Sequence, residues 1–137
     1  MRWRTNRSIP PADVIPVLRV PDVPGAARWL VEALGFRERL RIAEHRVQLV
    51  YGDGALVVAE ARQPAGEPDV SIMLRVADLD DLVARAIERG ATTIHAPENH
   101  PYGERQATLR APFGHVFTLS QSLADVDPAD WGGELLP

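Results

Sequence analysis

The sequence predicts an α+β domain built from two tandem βαβββ modules whose strands combine into a cup-shaped mixed sheet. Three observations carry that expectation. The hexapeptide Leu18-Arg19-Val20-Pro21-Asp22-Val23 recurs as Leu74-Arg75-Val76-Ala77-Asp78-Leu79. Each copy follows an apolar run, and each leads into a helix-period pattern followed by short strand-like pieces. The chain of 137 residues is the size of one domain with a real core, and its 45% hydrophobic and 25% charged residues are ordinary globular usage.

The first apolar run, Val14-Ile15-Pro16-Val17, continues into the repeat as a strand; Val70-Ser71-Ile72-Met73 is its counterpart. In the first helix Val23, Ala26, Ala27, Leu30, Val31 and Leu34 share a face, and in the second Leu79, Leu82, Val83, Ala86 and Ile87 do. Asp22 and Asp78 stand at the N-caps, where a carboxylate accepts backbone N–H bonds and complements the helix dipole. Pro24 lies in the first turn, and Gly35 and Gly90 follow the last periodic residues. Strands are then expected over Arg37–Ile42, Arg46–Tyr51 and Ala55–Glu60, the last two joined by the Gly52-Asp53-Gly54 turn. The second module offers Thr92–His95, Arg105–Arg110 and His115–Gln121, with Ala111-Pro112-Phe113-Gly114 between the last two. Gln63–Pro68 reads as the linker, and the turn-rich stretch Ala96–Gly103 as a candidate lid or site loop. The organisation is therefore an N-terminal arm (1–12), one domain of two modules (about 13–62 and 69–122) and a C-terminal tail (123–137).

Composition removes several functions. Without cysteine there are no disulfides, thiolate metal sites or cysteine nucleophiles. All fifteen basic residues are arginine, so lysine Schiff bases and P-loop phosphate binding are excluded. The net charge of −4 argues against a nucleic-acid partner; Arg2, Arg4 and Arg7, beside Trp3, read as a flexible charged arm. No apolar run approaches membrane-spanning length and Met1–Pro10 lacks an apolar signal region, so no membrane partner and a cytoplasmic location are expected. There is no Gly-x-Ser-x-Gly, and no histidine pair has the spacing of a helical metal motif.

The doubled modules, the opening Leu18-Arg19-Val20-Pro21-Asp22 with Leu34-Gly35-Phe36, and the ending Ala111-Pro112-Phe113-Gly114-His115-Val116-Phe117-Thr118-Leu119-Ser120-Gln121 resemble the vicinal-oxygen-chelate superfamily of glyoxalases, bleomycin-resistance proteins and dioxygenases. Tyr102-Gly103-Glu104-Arg105-Gln106 and the tail Asp125-Val126-Asp127-Pro128 with Asp130-Trp131-Gly132 resemble its glyoxalase-like (PhnB-like) branch. The resemblance, over about Val14 to Gln121, implies a ligand-holding cup and metal ligands (His, Gln or Glu) at four strand positions. Here those positions fall on Ile15, Val58, Ser71 and Thr118, so no metal and no other cofactor is expected.

The candidate ligand-binding residues are therefore Ile15, Val17, Arg19, Val58, Glu60, Ser71, Met73, Arg75, Tyr102, Glu104 and Thr118. Arg19 and Arg75 are candidates to hold a carboxylate or phosphate, with pairing to an acidic neighbour such as Glu60 as the plain alternative. Glu60 is the candidate general base, against a salt bridge to Arg62 or a cup arginine. His95 and His100, with Glu98 and Glu104, are close enough in sequence to converge; His45 reads as a solvated turn residue and His115 as structural. Met73, Phe113, Phe117 and Trp131 read as packing or apolar wall, with Trp131 in a tail suited to covering a partner subunit. The resulting expectation is a metal-free, homodimeric small-molecule-binding protein. The alternatives are a metal-dependent lyase or dioxygenase, an acid–base enzyme using Glu60 or a loop histidine, and a pure interaction module.

Overall fold

A computed structural model describes residues 3–61, 70–112 and 115–137. The expected linker Gln63–Pro68 and the turn residues Phe113 and Gly114 lie outside the described residues. The first module runs β1 (Val14–Val20), α1 (Val23–Leu34), β2 (Arg37–Ile42), β3 (Arg46–Tyr51) and β4 (Gly54–Glu60). The second runs β5 (Val70–Arg75), α2 (Leu79–Glu88), β6 (Thr92–Asn99), β7 (Glu104–Arg110) and β8 (Val116–Ser122). A 3₁₀ turn at Pro128–Trp131 and a short β9 (Gly133–Leu135) complete the chain.

Both helices begin and end as their sequences direct. The Asp22 carboxylate accepts from Gly25 N at 3.1 Å, and that of Asp78 from Asp81 N at 3.2 Å. Each such cap contributes about 1 kcal/mol. Gly35 closes α1 at φ 85° with its N–H bonded to Val31 O. Gly90 follows α2 at φ 104° with its N–H bonded to Ile87 O and that of Ala91 to Ala86 O, the paired bonds of a Schellman end.

The strands form one mixed sheet in the order β6-β7-β8-β5-β1-β4-β3-β2-β9. At its centre β1 and β5 pair antiparallel, Ile15 opposite Met73 and Val17 opposite Ser71. On either side β1 pairs parallel with β4, and β5 with β8, so the two modules repeat each other about the central seam. Alternation along the strands sorts the residues by face. Val47, Leu49 and Val58 pack under α1 with Val23, Ala27 and Leu30. Ala107, Leu109 and Leu119 pack under α2 with Leu79 and Val83. The helices thus cover one face, and the opposite face is the concave one. Among the described residues no helix is long and apolar enough to cross a membrane.

Three segments differ from the sequence expectation. Residues 96–99 extend β6 rather than forming a loop, leaving His100–Gly103 as the turn. The register shifts twice along β6, between Thr93 and His95 and between His95 and Glu98. A bulged edge strand accommodates Pro97, which lacks an N–H, where a central strand would not. The tail supplies β9, which pairs with β2 through Leu40, Arg41 and Ile42. The arm, read from sequence as flexible, is packed across the concave face: Asn6, Ser8, Ile9 and Ala12 are buried. Ile9 and Ala12 join Ile15, Val17, Val57 and Met73 in one apolar cluster, where full burial of a side chain such as isoleucine contributes roughly 1.5–3 kcal/mol.

Candidate functional site

The arm covers only part of the concave face. Beside it lies an open cleft of about 670 Å³. Its floor follows the sheet register. Val17 pairs with Val57 and Val57 with Gln48; Met73 pairs with Thr118 and Thr118 with Thr108. One row further out, Arg19 pairs with Ala59 and Ala59 with Arg46. Each of these residues except Ala59 lines the cleft. The lining is apolar in the middle, neutral and hydrogen-bonding around it, and basic at Arg19, Arg46 and Arg110.

The cleft has one aromatic wall. His100 and Tyr102 stack at 5.1 Å with 9° between their planes, and Trp131 meets Tyr102 at 5.2 Å. Tyr102 comes from the turn beside β6 at one sheet edge, and Trp131 precedes β9 at the other. Their contact therefore joins the two ends of the curled sheet. Trp131 also donates from Nε1 to Ser8 Oγ at 2.7 Å, tying the tail to the arm. Gly103 permits this closure: its φ is +83°, and an added Cβ would lie 2.7 Å from both Ala124 O and Val126 Cγ2. Burial, followed by a lowering influence from Arg46 and raising ones from Glu104 and Glu98, leaves the Tyr102 phenol above its ordinary pKa. It is a neutral donor near pH 7, and it donates to Gln106 Oε1 at 2.9 Å.

Of the residues singled out in sequence, Val17, Arg19, Ser71, Met73, Tyr102 and Thr118 line the cleft. Ile15, Arg75 and Glu104 share its concave face but lie buried under the arm. Arg75 donates to Pro10 O at 3.2 Å, Arg4 O at 3.0 Å and Ser122 Oγ at 2.7 Å, and its guanidinium sits 3.6 Å from the centre of the Trp3 ring. Glu104, fully buried, accepts from Asn6 Nδ2 at 2.8 Å, from Ser120 Oγ at 2.6 Å and from Ser122 Oγ. This network fastens the arm; it does not open onto the cleft.

Two placements require correction. Val58 packs against α1, and Glu60 is exposed at the end of β4, neither of them in the cleft. Counting four residues from the hairpin glycine gives the concave Thr118 in the second module but slips by one in the first. There the parallel register pairs Val57 with the concave Val17, and alternation sends Val58 and Glu60 the other way. The Glu60 backbone oxygen accepts from Arg19 at 3.3 Å. A general base in the cleft is therefore not Glu60.

The histidines divide similarly. His45, His95 and His100 line the cleft with Glu98, whereas Glu104 is sequestered below the arm. Among the described residues no three His, Cys, Asp or Glu side chains are grouped to hold a metal ion. With Val57 in place of Val58, the four strand positions are Ile15, Val57, Ser71 and Thr118. Two have no donor atom and two are neutral hydroxyls, with Thr118 Oγ1 already 3.1 Å from Thr108 Oγ1. That set does not suit a divalent cation, which requires imidazole or carboxylate donors converging on one point.

Gln48, Gln106 and Arg46 belong to the site and were not selected from sequence, although Glu104-x-Gln106-x-Thr108-x-Arg110 and Arg46-x-Gln48 put polar residues at every second place of a strand. Trp131, read from sequence as packing or apolar wall, lines the cleft of its own chain, a position that depends on β9 pairing across the sheet.

The family model of the Glyoxalase/Bleomycin resistance protein/Dioxygenase superfamily matches residues 14–119. An uncharacterized protein of Mycobacterium bovis is 37% identical over 62 residues, 45% of this chain and 41% of that protein. The match thus spans less than half the length of that relative. A superfamily member from Vibrio splendidus 12B01 aligns with TM-score 0.62 at 20% identity, over 80% of this chain and 97% of its own. A mutant 4-hydroxymandelate synthase from Streptomyces coelicolor aligns with TM-score 0.65 at 28% identity, over 94% of this chain and 43% of that one. The Mn(II)-bound glyoxalase from Novosphingobium aromaticivorans aligns with TM-score 0.60 at 18% identity, over 85% and 38%.

Proposed function

The chain belongs to the glyoxalase/bleomycin resistance protein/dioxygenase superfamily, and on that premise we propose that it is a small-molecule-binding protein that works without a resident divalent metal. One observation carries the reading: the cleft of about 670 Å³ has the size of a ligand pocket, while the strand positions expected to hold a metal present Ile15, Val57, Ser71 and Thr118. A floor of Val17, Val57 and Met73 supplies apolar area, and Gln48, Gln106 and Thr108 supply neutral hydrogen-bonding groups that fix orientation. Among the described residues the metal-dependent lyase or dioxygenase alternative finds no cluster of donors, and the acid–base alternative loses Glu60 but keeps the histidines His95 and His100, which line the cleft.

Two measurements test the reading together. Elemental analysis of protein purified without chelators is expected to find no stoichiometric transition metal, and added Ni²⁺, Zn²⁺, Mn²⁺ or Fe²⁺ to leave the melting temperature unchanged. A small-molecule thermal-shift screen is expected to find stabilising compounds by linkage, and mass spectrometry to recover them unconverted. A bound ion at one per chain, or conversion of a stabilising compound, overturns the proposal. A homodimer remains part of it, supported by the exposed apolar side chains Leu34 and Tyr51 beside Phe36; a monomeric mass by light scattering at high concentration removes that part.

A further inference from the structure

We propose that the cleft takes an uncharged aromatic carbonyl compound. Its carbonyl oxygen accepts a hydrogen bond from the Ser71 hydroxyl on the floor, and its ring lies against the His100–Tyr102–Trp131 wall. The inference rests on the small-molecule reading above and names the ligand class of that same cleft.

The first argument is a count of protons on the floor. Ser71 pairs with Val17 across the central seam, is half-buried and lines the cleft. Among the described residues its hydroxyl has no hydrogen-bond partner. Thr108 Oγ1 and Thr118 Oγ1, on the neighbouring row, lie 3.1 Å apart and share one hydrogen bond. Two hydroxyls bring two protons to that contact and it uses one. The amides are held by the chain itself. Gln48 accepts from Arg39 at 2.6 Å and donates to Ser8 O at 2.9 Å, and Gln106 accepts from Tyr102 and donates to Ser120 Oγ at 2.9 Å. Ser71 is therefore the floor group with its whole capacity open, and a carbonyl oxygen is the compact acceptor for its proton.

The second argument is that the floor suits a neutral group. Ser71 stands among Val17 and Met73, with Val57 beyond them on the same face. A charged group set there would leave water with only neutral hydroxyls against it, and an uncompensated buried charge is costly. Nor are the cleft's cations waiting for one: Arg19, Arg46 and Arg110 already interact with other groups of the chain, Arg19 with Glu60 O at 3.3 Å.

The wall sets the rest of the ligand. Its polar atoms are engaged, Tyr102 Oη at Gln106 and Trp131 Nε1 at Ser8 Oγ. Tyr102, Trp131 and His100 are each only half-buried, so what they offer inside the cleft is ring surface. A planar ring gains both burial and aromatic contact there.

The test compares 1-tetralone, its hydrocarbon tetralin and the matching anion 1,2,3,4-tetrahydro-1-naphthoate by calorimetric titration of the intact protein. Ser71→Ala is expected to weaken tetralone about fivefold, the worth of one hydrogen bond, and to leave tetralin unchanged. The anion is expected to bind wild type about tenfold more weakly than the ketone. On wild type alone, the infrared carbonyl stretch of bound tetralone is expected at lower wavenumber than in hexane; this arm does not depend on the variant folding. A loss in Ser71→Ala no larger for tetralone than for tetralin, a carbonyl stretch at its hexane position, or an anion that binds as tightly as the ketone overturns the inference. Each of those outcomes leaves the small-molecule reading standing. No binding of any of the three also overturns the inference, and the broader reading falls with it only if the thermal-shift screen finds no ligand at all.

Discussion

Arg19 and Arg75 are the same residue of a repeated motif, at the same place on the same kind of strand, and the two halves of the cup use them differently. Arg75 is only 6% exposed, locked to Arg4 O, Pro10 O and Ser122 Oγ, with Trp3 stacked over it. Arg19 stands half-buried at the edge of the open cleft and donates to Glu60 O at 3.3 Å. The asymmetry extends along the rows: Ser120 beside Arg75 feeds the buried Glu104, whereas Ala59 beside Arg19 offers no polar atom. Duplication therefore set where side chains point, and one non-repeated segment decided which of them became structural. The arm converts half of the concave face into core and leaves the other half as an open cleft.

If that division is right, the two arginines differ sharply in what they contribute to stability. Replacing Arg75 by methionine strands the Glu104–Ser122–Asn6 network and the arm carbonyls without a cation. It is expected to cost about 3 kcal/mol or more, the range for breaking a buried charged network. Arg19→Met, which removes a half-buried guanidinium bonded to Glu60 O, is expected to cost no more than about 1.5 kcal/mol. Urea unfolding of both variants measures the difference, and equal costs would abolish the distinction between the halves. The next effect in size concerns the arm's apolar anchor. Ile9, 4% exposed, fills the space above Ile15 and Met73. Ile9→Ala is expected to lose about 2–3 kcal/mol, with new binding of an apolar dye as the arm loosens. A variant as stable as wild type would mean that the arm rests on the cup without closing it.

The repeat and its periodicities made the two modules, both helices and their caps legible, and the family resemblance together with strand parity placed seven of the concave positions: Val17, Arg19, Ser71, Met73 and Thr118 in the cleft, Ile15 and Arg75 beneath the arm. These are local signals, each resolved within a few residues. Val58 and Glu60 were misplaced because the face of β4 is set by its parallel pairing with β1, a contact some forty residues away in sequence. The arm failed for the same reason on a larger scale. Asn6 is an ordinary polar residue until Glu104, Tyr102 and Val126 surround it, and nothing near it in the chain announces that environment. Trp131 was legible as apolar wall, but which wall it joins is set by the pairing of β9 with β2.

A smaller effect distinguishes the tail's role in holding the two halves together. Trp131→Phe keeps the ring against Tyr102 but removes the donor to Ser8 Oγ. The expected cost is about 1 kcal/mol, the net worth of one hydrogen bond, with the cleft intact and ligand affinity reduced less than by Trp131→Ala. An equal loss of affinity in the two variants would assign the tryptophan's role to the arm contact rather than to the aromatic wall.

The smallest effect is electrostatic and sits where arm and tail meet at the surface. The Asp125 carboxylate accepts from Arg7 N at 3.0 Å and from Arg7 Nε at 3.1 Å. The backbone bond first, then the side-chain bond, hold its pKa below the ordinary carboxylate value, and the same pairing raises that of Arg7. A carboxylate whose pKa is depressed on folding contributes stability above its unfolded value, near 4, and loses it as pH falls through the folded value. The clip between arm and tail is thus fully engaged at neutral pH and weakens only on acidification below about pH 4. Because both partners are exposed, the effect is modest and screened by salt. Hydrogen exchange at the Arg7 and Ser8 amides, corrected for the intrinsic pH dependence, is expected to lose protection across that acid range in wild type. In Asp125→Asn the corrected protection should lack this step and respond little to NaCl. An unchanged acid step in the variant would trace the loosening of the arm to other carboxylates and would leave the buried network alone responsible for closing that half of the cup.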